Sequence, residues 1–339
     1  MSLRYLKKIP TCSVVILLIT LSQMAIGADS GYEVLYQATP TDRLYSIDFC
    51  GSSGIAVGEA GLLMRSSDSG LTWHRDEIPT NLALSKIACT ESRELVVGQL
   101  GAILVKRGAS EWRQIDSGTR LRLLGVDMNS GGLGVIVGAF GTLLRTTTGG
   151  ETWESIAPDW AALYDDGTRG QYAAVRDEPT NYIVKVFEND RIVIGGEYGV
   201  LLESLDRGHT WTVVFRYPEI GGITAPTIFD AQFDGQRGYA VGQNGLVLAS
   251  EDAGKTWLSV AAPTKASLFA VGLLDGSRLF AVGQRVAIAS DNGGLSWTNI
   301  HGLDFDLNWY AGAGKAMGAS GPLIAIGHSG RIVSVAAFE

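Results

Sequence analysis

The chain has 339 residues, 46% of them hydrophobic, 18% charged and 44 of them glycine. That apolar share builds a sizeable core and excludes intrinsic disorder, and the glycines lack the three-residue period of a collagen-like fibre. A formal charge of −8, from 27 basic against 35 acidic residues, argues against nucleic acid as a partner.

In chain order, the first segment is a targeting signal. Arg4, Lys7 and Lys8 precede the apolar run Val14 to Leu21, and Ala25-Ile26-Gly27 supplies small residues for cleavage before Ala28. The run is too short to span a bilayer, and Cys12 lies before the apolar core, away from the cleavage site, which argues against a lipid anchor. Residues 1–27 are therefore expected to be a signal peptide and 28–339 one exported domain. Losing three bases and no acid takes the charge from −8 to −11.

The remainder is a repeat. GEAGLLMRSSDSGLTW at 58–73 recurs as GQLGAILVKRGASEW at 98–112, GAFGTLLRTTTGGETW at 138–153 and GEYGVLLESLDRGHTW at 196–211. GQNGLVLASEDAGKTW at 242–257 and GQRVAIASDNGGLSW at 283–297 follow. The tryptophans Trp73, Trp112, Trp153, Trp211, Trp257 and Trp297 are 39, 41, 58, 46 and 40 residues apart. Within each unit, short alternating or β-rich runs bounded by Gly, Asp and Ser predict four strands. In the first unit these are Leu44–Phe49, Gly54–Val57, Gly61–Arg65 and Thr72–Ile78. Repeated four-stranded units of this length predict an all-β propeller.

A last unit, GHSGRIVSVAAF at 327–338, stops before any Trp, while Tyr32 to Ala38 reads as its missing outer strand. Pairing the two ends gives seven four-stranded blades, rather than six or eight, and hides two strand edges. Two domains by length become one ring.

The pattern Ser/Thr-x-Asp-x-Gly-x-Thr-Trp is the most specific motif. In it, Asp68, Asp206 and Asp252 are expected to cap their own turns and Gly to supply positive φ. Trp73, Trp211, Trp257 and Trp297 are expected to pack between blades. Recurrence of one acid on several blades argues against catalysis.

These turns are Asp-boxes, and their combination with Gly-x-x-Gly-x-Leu/Ile resembles the photosystem II assembly and stability factor family. The resemblance covers about Tyr32 to Phe338. It implies a seven-bladed, non-catalytic propeller exported to a bacterial periplasm or thylakoid lumen, acting as an assembly factor or scaffold. Its partner would be a membrane-protein complex or one of its subunits. It also implies an arginine-bearing contact surface; Arg65-Ser66 and Arg145-Thr146 match that step of the motif, whereas Val105, Glu203 and Ala249 depart from it.

The alternative is a carbohydrate-active Asp-box propeller, a sialidase-like glycosidase or a glycan-binding protein. Against a sialidase, both Arg-Ile pairs, at Arg191 and Arg331, are followed by Val where that class has Arg-Ile-Pro. No Gly-x-Ser-x-Gly elbow occurs. His74, His209, His301 and His328 lack metal-ligand spacing and read as solvated loop residues, as do Asp304 and Asp306. No cofactor or metal is called for.

Cys50 and Cys89 sit near the ends of inner strands in adjacent blades, in a compartment permitting oxidation. Strand alternation points them oppositely unless a turn rotates one, so a disulfide and two reduced thiols both remain open. The longest gap between tryptophans holds Trp160, Tyr164, Asp165 and Asp166, then Arg169, Tyr172 and Arg176. Aromatics interleaved with charges of both signs suit protein recognition, and this crossing is the expected partner site, the alternative being a loop that folds over the rim and packs its own aromatics.

Overall fold

Between its second and third strands each blade turns through one kind of hairpin, Gly-x-x-Gly in all but blade six, where Val286 takes the last position. It closes so tightly that a Cβ at Gly58 would overlap the carbonyl oxygen of Arg43, and its third residue takes positive φ. The structure, a computed structural model, describes residues 32–164, 178–218, 225–315 and 322–335. It contains seven antiparallel four-stranded sheets. In the first blade the strands are Leu44–Cys50, Ser53–Gly58, Leu63–Ser66 and His74–Asp76, from the centre outward.

The inner strands of the remaining blades are Leu84–Thr90, Leu123–Met128, Asn181–Val186, Ile228–Asp234, Leu268–Leu273 and Tyr310–Lys315. Successive inner strands pack side by side, the seventh against the first. The ring closes where Tyr32–Tyr36 pairs antiparallel with Ile332–Val335 as the outer strand of blade seven. The fold is a seven-bladed β-propeller, with the termini sharing the last blade.

Seven buried apolar clusters hold the ring, one at each blade interface. Trp73 packs with Ile324 and Ile326 of blade seven, and Trp112, Trp211, Trp257 and Trp297 pack likewise against the blade before their own. Full burial of one such ring stabilises by roughly 3 kcal/mol or more. Between blades six and seven Phe305 and Tyr310 fill the gap, with Tyr32 edge-on to Phe305.

Each inner strand pairs with the second strand of its blade in a register broken at one place, a β-bulge. The residue skipped is Tyr45, Ser85, Leu124, Tyr182, Phe229, Phe269 or Ala311. A bulge re-aims its extra side chain, here beside the channel mouth that the crossings surround. On the opposite face, the Asp-box turns lie against the first hairpin of each blade, as Ser69 N–H does on the Ser52 carbonyl at 2.9 Å.

Candidate functional site

The central channel widens into a cavity of about 940 Å³ on the Asp-box face. Its wall carries Asp48, Lys86, Asp127, Lys185, Glu188 and Asp230. The inner strands are edges, so their N–H groups need acceptors from outside their own sheet. The carboxylates supply them across blade boundaries. Cys89 N–H donates to Asp48 at 2.9 Å, Val186 N–H to Asp127 at 2.7 Å and Val271 N–H to Asp230 at 3.1 Å.

Lys185 pairs with Asp127 at 3.0 Å, which raises the lysine's pKa, and Lys86 pairs with Asp230 at 3.3 Å. Burial pushes the Asp48 carboxyl up to about 6, against the N–H bonds from Cys89 and Phe49. These acids are committed to backbone and lysine partners. The arrangement is a polar frame.

The Asp-box turns share their hydroxyl and acceptor wiring, while the indole N–H bond made by Trp73, Trp153 and Trp257 is missing at Trp211 and Trp297. Thr72 N–H and Oγ1 both donate to Asp68, Ser66 Oγ receives Gly70 N–H, and Trp73 Nε1 donates to the Gly70 carbonyl. Thr72, Thr210 and Thr256 hold Asp68, Asp206 and Asp252 at about 2 through these bonds. Asn292 accepts Ser296 N–H at 3.0 Å, and Thr148 accepts Thr152 N–H at 3.1 Å. Since an amide or a hydroxyl serves as well, the position requires an acceptor and not an acid.

Arg65 and Arg145 are clasps between elements. Arg65 donates two bonds of 2.9 Å to Glu94 of the next blade and one of 2.8 Å to Asp76. Arg145 pairs with Glu154 at 2.6 Å and reaches the Arg207 carbonyl and His209 in the next Asp-box turn. Arg191 does the same with Glu203 and the Ala253 carbonyl. The arginine-bearing surface expected at Arg65 and Arg145 is thus spent on internal pairs.

The long crossing also differs from its reading. Trp160 and Tyr164 bound a short helix, α1 (Trp160–Tyr164), and are 4% and 0% exposed. Trp160 Nε1 donates to the Gly141 carbonyl, and the Trp160, Tyr164 and Tyr198 rings meet edge to face. Arg216 of the next blade donates to the carbonyls of Leu163 and Tyr164. Both aromatics anchor the crossing because the blade interface has room for their rings. Asp165, Asp166, Arg169, Tyr172 and Arg176 lie outside the described residues.

Asp304 is buried, not a solvated loop residue. It lies in α2 (Leu303–Leu307), 4% exposed, and accepts from Asn308, His328, Arg331 and Tyr310. His328 is accordingly part of a buried network rather than a solvated loop residue, whereas Asp306 and His301 are exposed. Among the described residues no His, Cys, Asp and Glu group is arranged to hold a metal. Cys50 and Cys89 form a disulfide between blades one and two, with Cα atoms 5.9 Å apart at the cavity edge.

A family model described as photosynthesis system II assembly factor YCF48 matches residues 104–225. The chain resembles the photosystem II assembly factors. It is 22% identical to the chloroplastic photosystem II stability/assembly factor HCF136 of Oryza sativa subsp. japonica, across 61% of this chain and 66% of that protein. It is 27% identical to the photosystem II assembly lipoprotein Ycf48 of Synechococcus sp. (strain CC9902), across 61% and 71%. The match therefore spans just under two thirds of the rice protein. YCF48 from Cyanidioschyzon merolae superposes with a TM-score of 0.67 at 18% identity, covering 90% of this chain and 98% of that one. YCF48 bound to a D1 peptide gives 0.65 at 14%, covering 90% and 97%. The propeller fold is shared more widely: a GH74 xyloglucanase from Xanthomonas campestris gives 0.68 at 14%, covering 90% and 54%.

Proposed function

We propose that this chain is an exported, non-catalytic propeller that binds a subunit of a membrane-protein complex during its assembly. Photosystem II is the complex its relatives are named for. The observation that carries this reading is the YCF48 family match at residues 104–225, with both curated relatives named as assembly factors. The solved YCF48 carrying a D1 peptide supplies a precedent for a protein ligand on this fold.

Residues 1–27 direct export in this reading and 28–339 form the ring, with a periplasm as the compartment. A disulfide between Cys50 and Cys89 suits an oxidising compartment. No helix among the described residues is long and apolar enough to cross a membrane, so contact with a membrane protein would come through its exposed segments. The crossing containing Asp165, Asp166, Arg169, Tyr172 and Arg176 is one contact candidate, with Trp160 and Tyr164 as its anchors.

The deciding experiment is cross-linking in the native cell followed by mass spectrometry. Recovery of photosystem II subunits, D1 among them, is the expected result. Turnover of a fluorogenic glycoside panel by purified protein, abolished by substituting a channel carboxylate, would overturn the non-catalytic reading.

A further inference from the structure

The bulge repeated in all seven inner strands has a chemical consequence on the crossing face. In blades four, five and six the bulge residue is aromatic, and Tyr182, Phe229 and Phe269 run edge to face with centroids 5.4 and 5.6 Å apart. Across the mouth, Tyr45 of blade one stacks on Trp309, which leads into blade seven, at 6.3 Å. All five rings are half-buried, and none belongs to the seven apolar clusters that hold the blades together. For Tyr45, Tyr182, Phe229 and Phe269 the bulge sets that placement.

Two cations share this mouth. Arg43 and Arg122 are exposed, and their charges act on the Tyr45 hydroxyl, which itself donates to Glu59. Arg43 donates to the Thr41 carbonyl at 3.0 Å and Arg122 to Ser85 Oγ at 3.4 Å. Among the described residues neither forms an ion pair. On the opposite face Arg65, Arg145 and Arg191 each hold a carboxylate. In a chain with more acids than bases, Arg43 and Arg122 set two exposed cationic heads beside the aromatic rings of this mouth.

The apolar character continues outward on the same face. Leu100 and Phe140 occupy the positive-φ position of their hairpins and are 54% and 53% exposed. A left-handed non-glycine residue is strained, and exposing a large apolar side chain there brings the fold no compensation.

We propose that this mouth binds an extended peptide segment bearing a large apolar side chain next to carboxylates. The apolar side chain lies on Tyr182, Phe229 and Phe269, and the carboxylates meet Arg43 and Arg122. Aromatic and arginine side chains together are what the centre of a protein interface requires. The proposal rests on the protein-binding reading above and specifies its face and the chemistry of its partner.

The test uses the mature protein and a labelled peptide with a Glu-Phe-Glu core, read by fluorescence anisotropy. Replacing both Glu by Lys, or Phe by Ser, should weaken binding by roughly tenfold, the loss of one central contact. Arg122→Glu should weaken the acidic probe similarly and favour the lysine probe, while Leu295→Ser, in an exposed Asp-box turn on the opposite face, retains binding. Phe229→Ser should lose both probes with an unchanged melting temperature, since the ring is outside the core clusters. Equal binding of the Glu and Lys probes, or indifference to Arg122→Glu, would overturn the proposal.

A photo-cross-linking residue at 121 on this face or at 205 in an Asp-box turn separates the two readings in the cell. Client adducts from 121 support the mouth. Adducts from 205 alone overturn the mouth and leave protein binding standing. Absence of any client adduct, here and by chemical cross-linking, overturns both.

Discussion

Lys86 of blade two and Asp230 of blade five meet across the channel, Nζ to Oδ1 at 3.3 Å. The blades are three steps apart in a ring of seven, so the pair ties opposite walls rather than neighbours. Asp230 is buried and its other partner is the Val271 N–H.

Lys86→Met should therefore cost more than a surface pair would. The expected loss is about 1–3 kcal/mol, below that for a fully buried pair because the Lys86 side chain keeps 31% exposure. Lys86→Met with Asp230→Asn should recover part of it. Urea unfolding of the single and double variants gives the coupling energy, and strict additivity would show that the pair contributes nothing.

Asp48 predicts a pH dependence of definite sign. Burial pushes its carboxyl up to about 6 in the fold, above the ordinary aspartate value of about 3.9. The folded state thus binds the proton more tightly than the unfolded chain, so this group's contribution to stability increases as pH falls from 7 towards 4. Asp48→Asn should remove that contribution. The measurement is the urea midpoint of wild type minus variant across this range, and a flat difference would contradict the assignment.

Asp304 behaves oppositely. Burial raises its pKa, but hydrogen bonds from His328, Arg331 and Tyr310 outweigh burial and hold it well below the usual carboxylate range. Its stabilisation is present above the unfolded pKa near 3.9 and is lost as pH falls towards the folded value. Asp304→Asn leaves Arg331 without its buried partner and should cost about 3–5 kcal/mol. Arg331 also donates to Gln37 beside the closing strand. Amide exchange of Tyr32–Tyr36 should therefore accelerate in the variant.

The Cys50–Cys89 bridge closes a loop of 39 residues between two blades. Chain-entropy arguments give about 4 kcal/mol for a loop of this length. Cys50→Ser with Cys89→Ser should lower the melting temperature, and reductant should lower that of wild type to a similar value while leaving the variant unmoved.

Arg65 carries a clasp, so Arg65→Ala should destabilise the ring by about 1–3 kcal/mol through Glu94 and Asp76. Thermal unfolding measures it. A loss of client capture without loss of stability would instead make Arg65 a contact residue.

The sequence by itself determined the ring. Blade number and closure follow from a repeat with a terminal unit missing one strand, because each unit can bury its apolar faces only against a neighbour. The Asp-box wiring is equally local: Asp68 reaches Thr72, and Ser66 reaches Gly70, within four residues. Such turns need no information from elsewhere in the chain.

Only the tertiary structure decided which side chains are spent and which are free. Trp160 and Asp304 look like exposed loop residues in sequence, yet each fills a space made by another blade. Strand alternation points Cys50 and Cys89 apart, but parity within a strand does not govern a contact between the ends of two different strands. Counting along an inner strand likewise cannot reveal a skipped residue, since the bulge exists only in the pairing with the second strand. The channel charges, the clasps and the aromatic mouth all arise from residues dozens of positions apart, brought together by closing the ring.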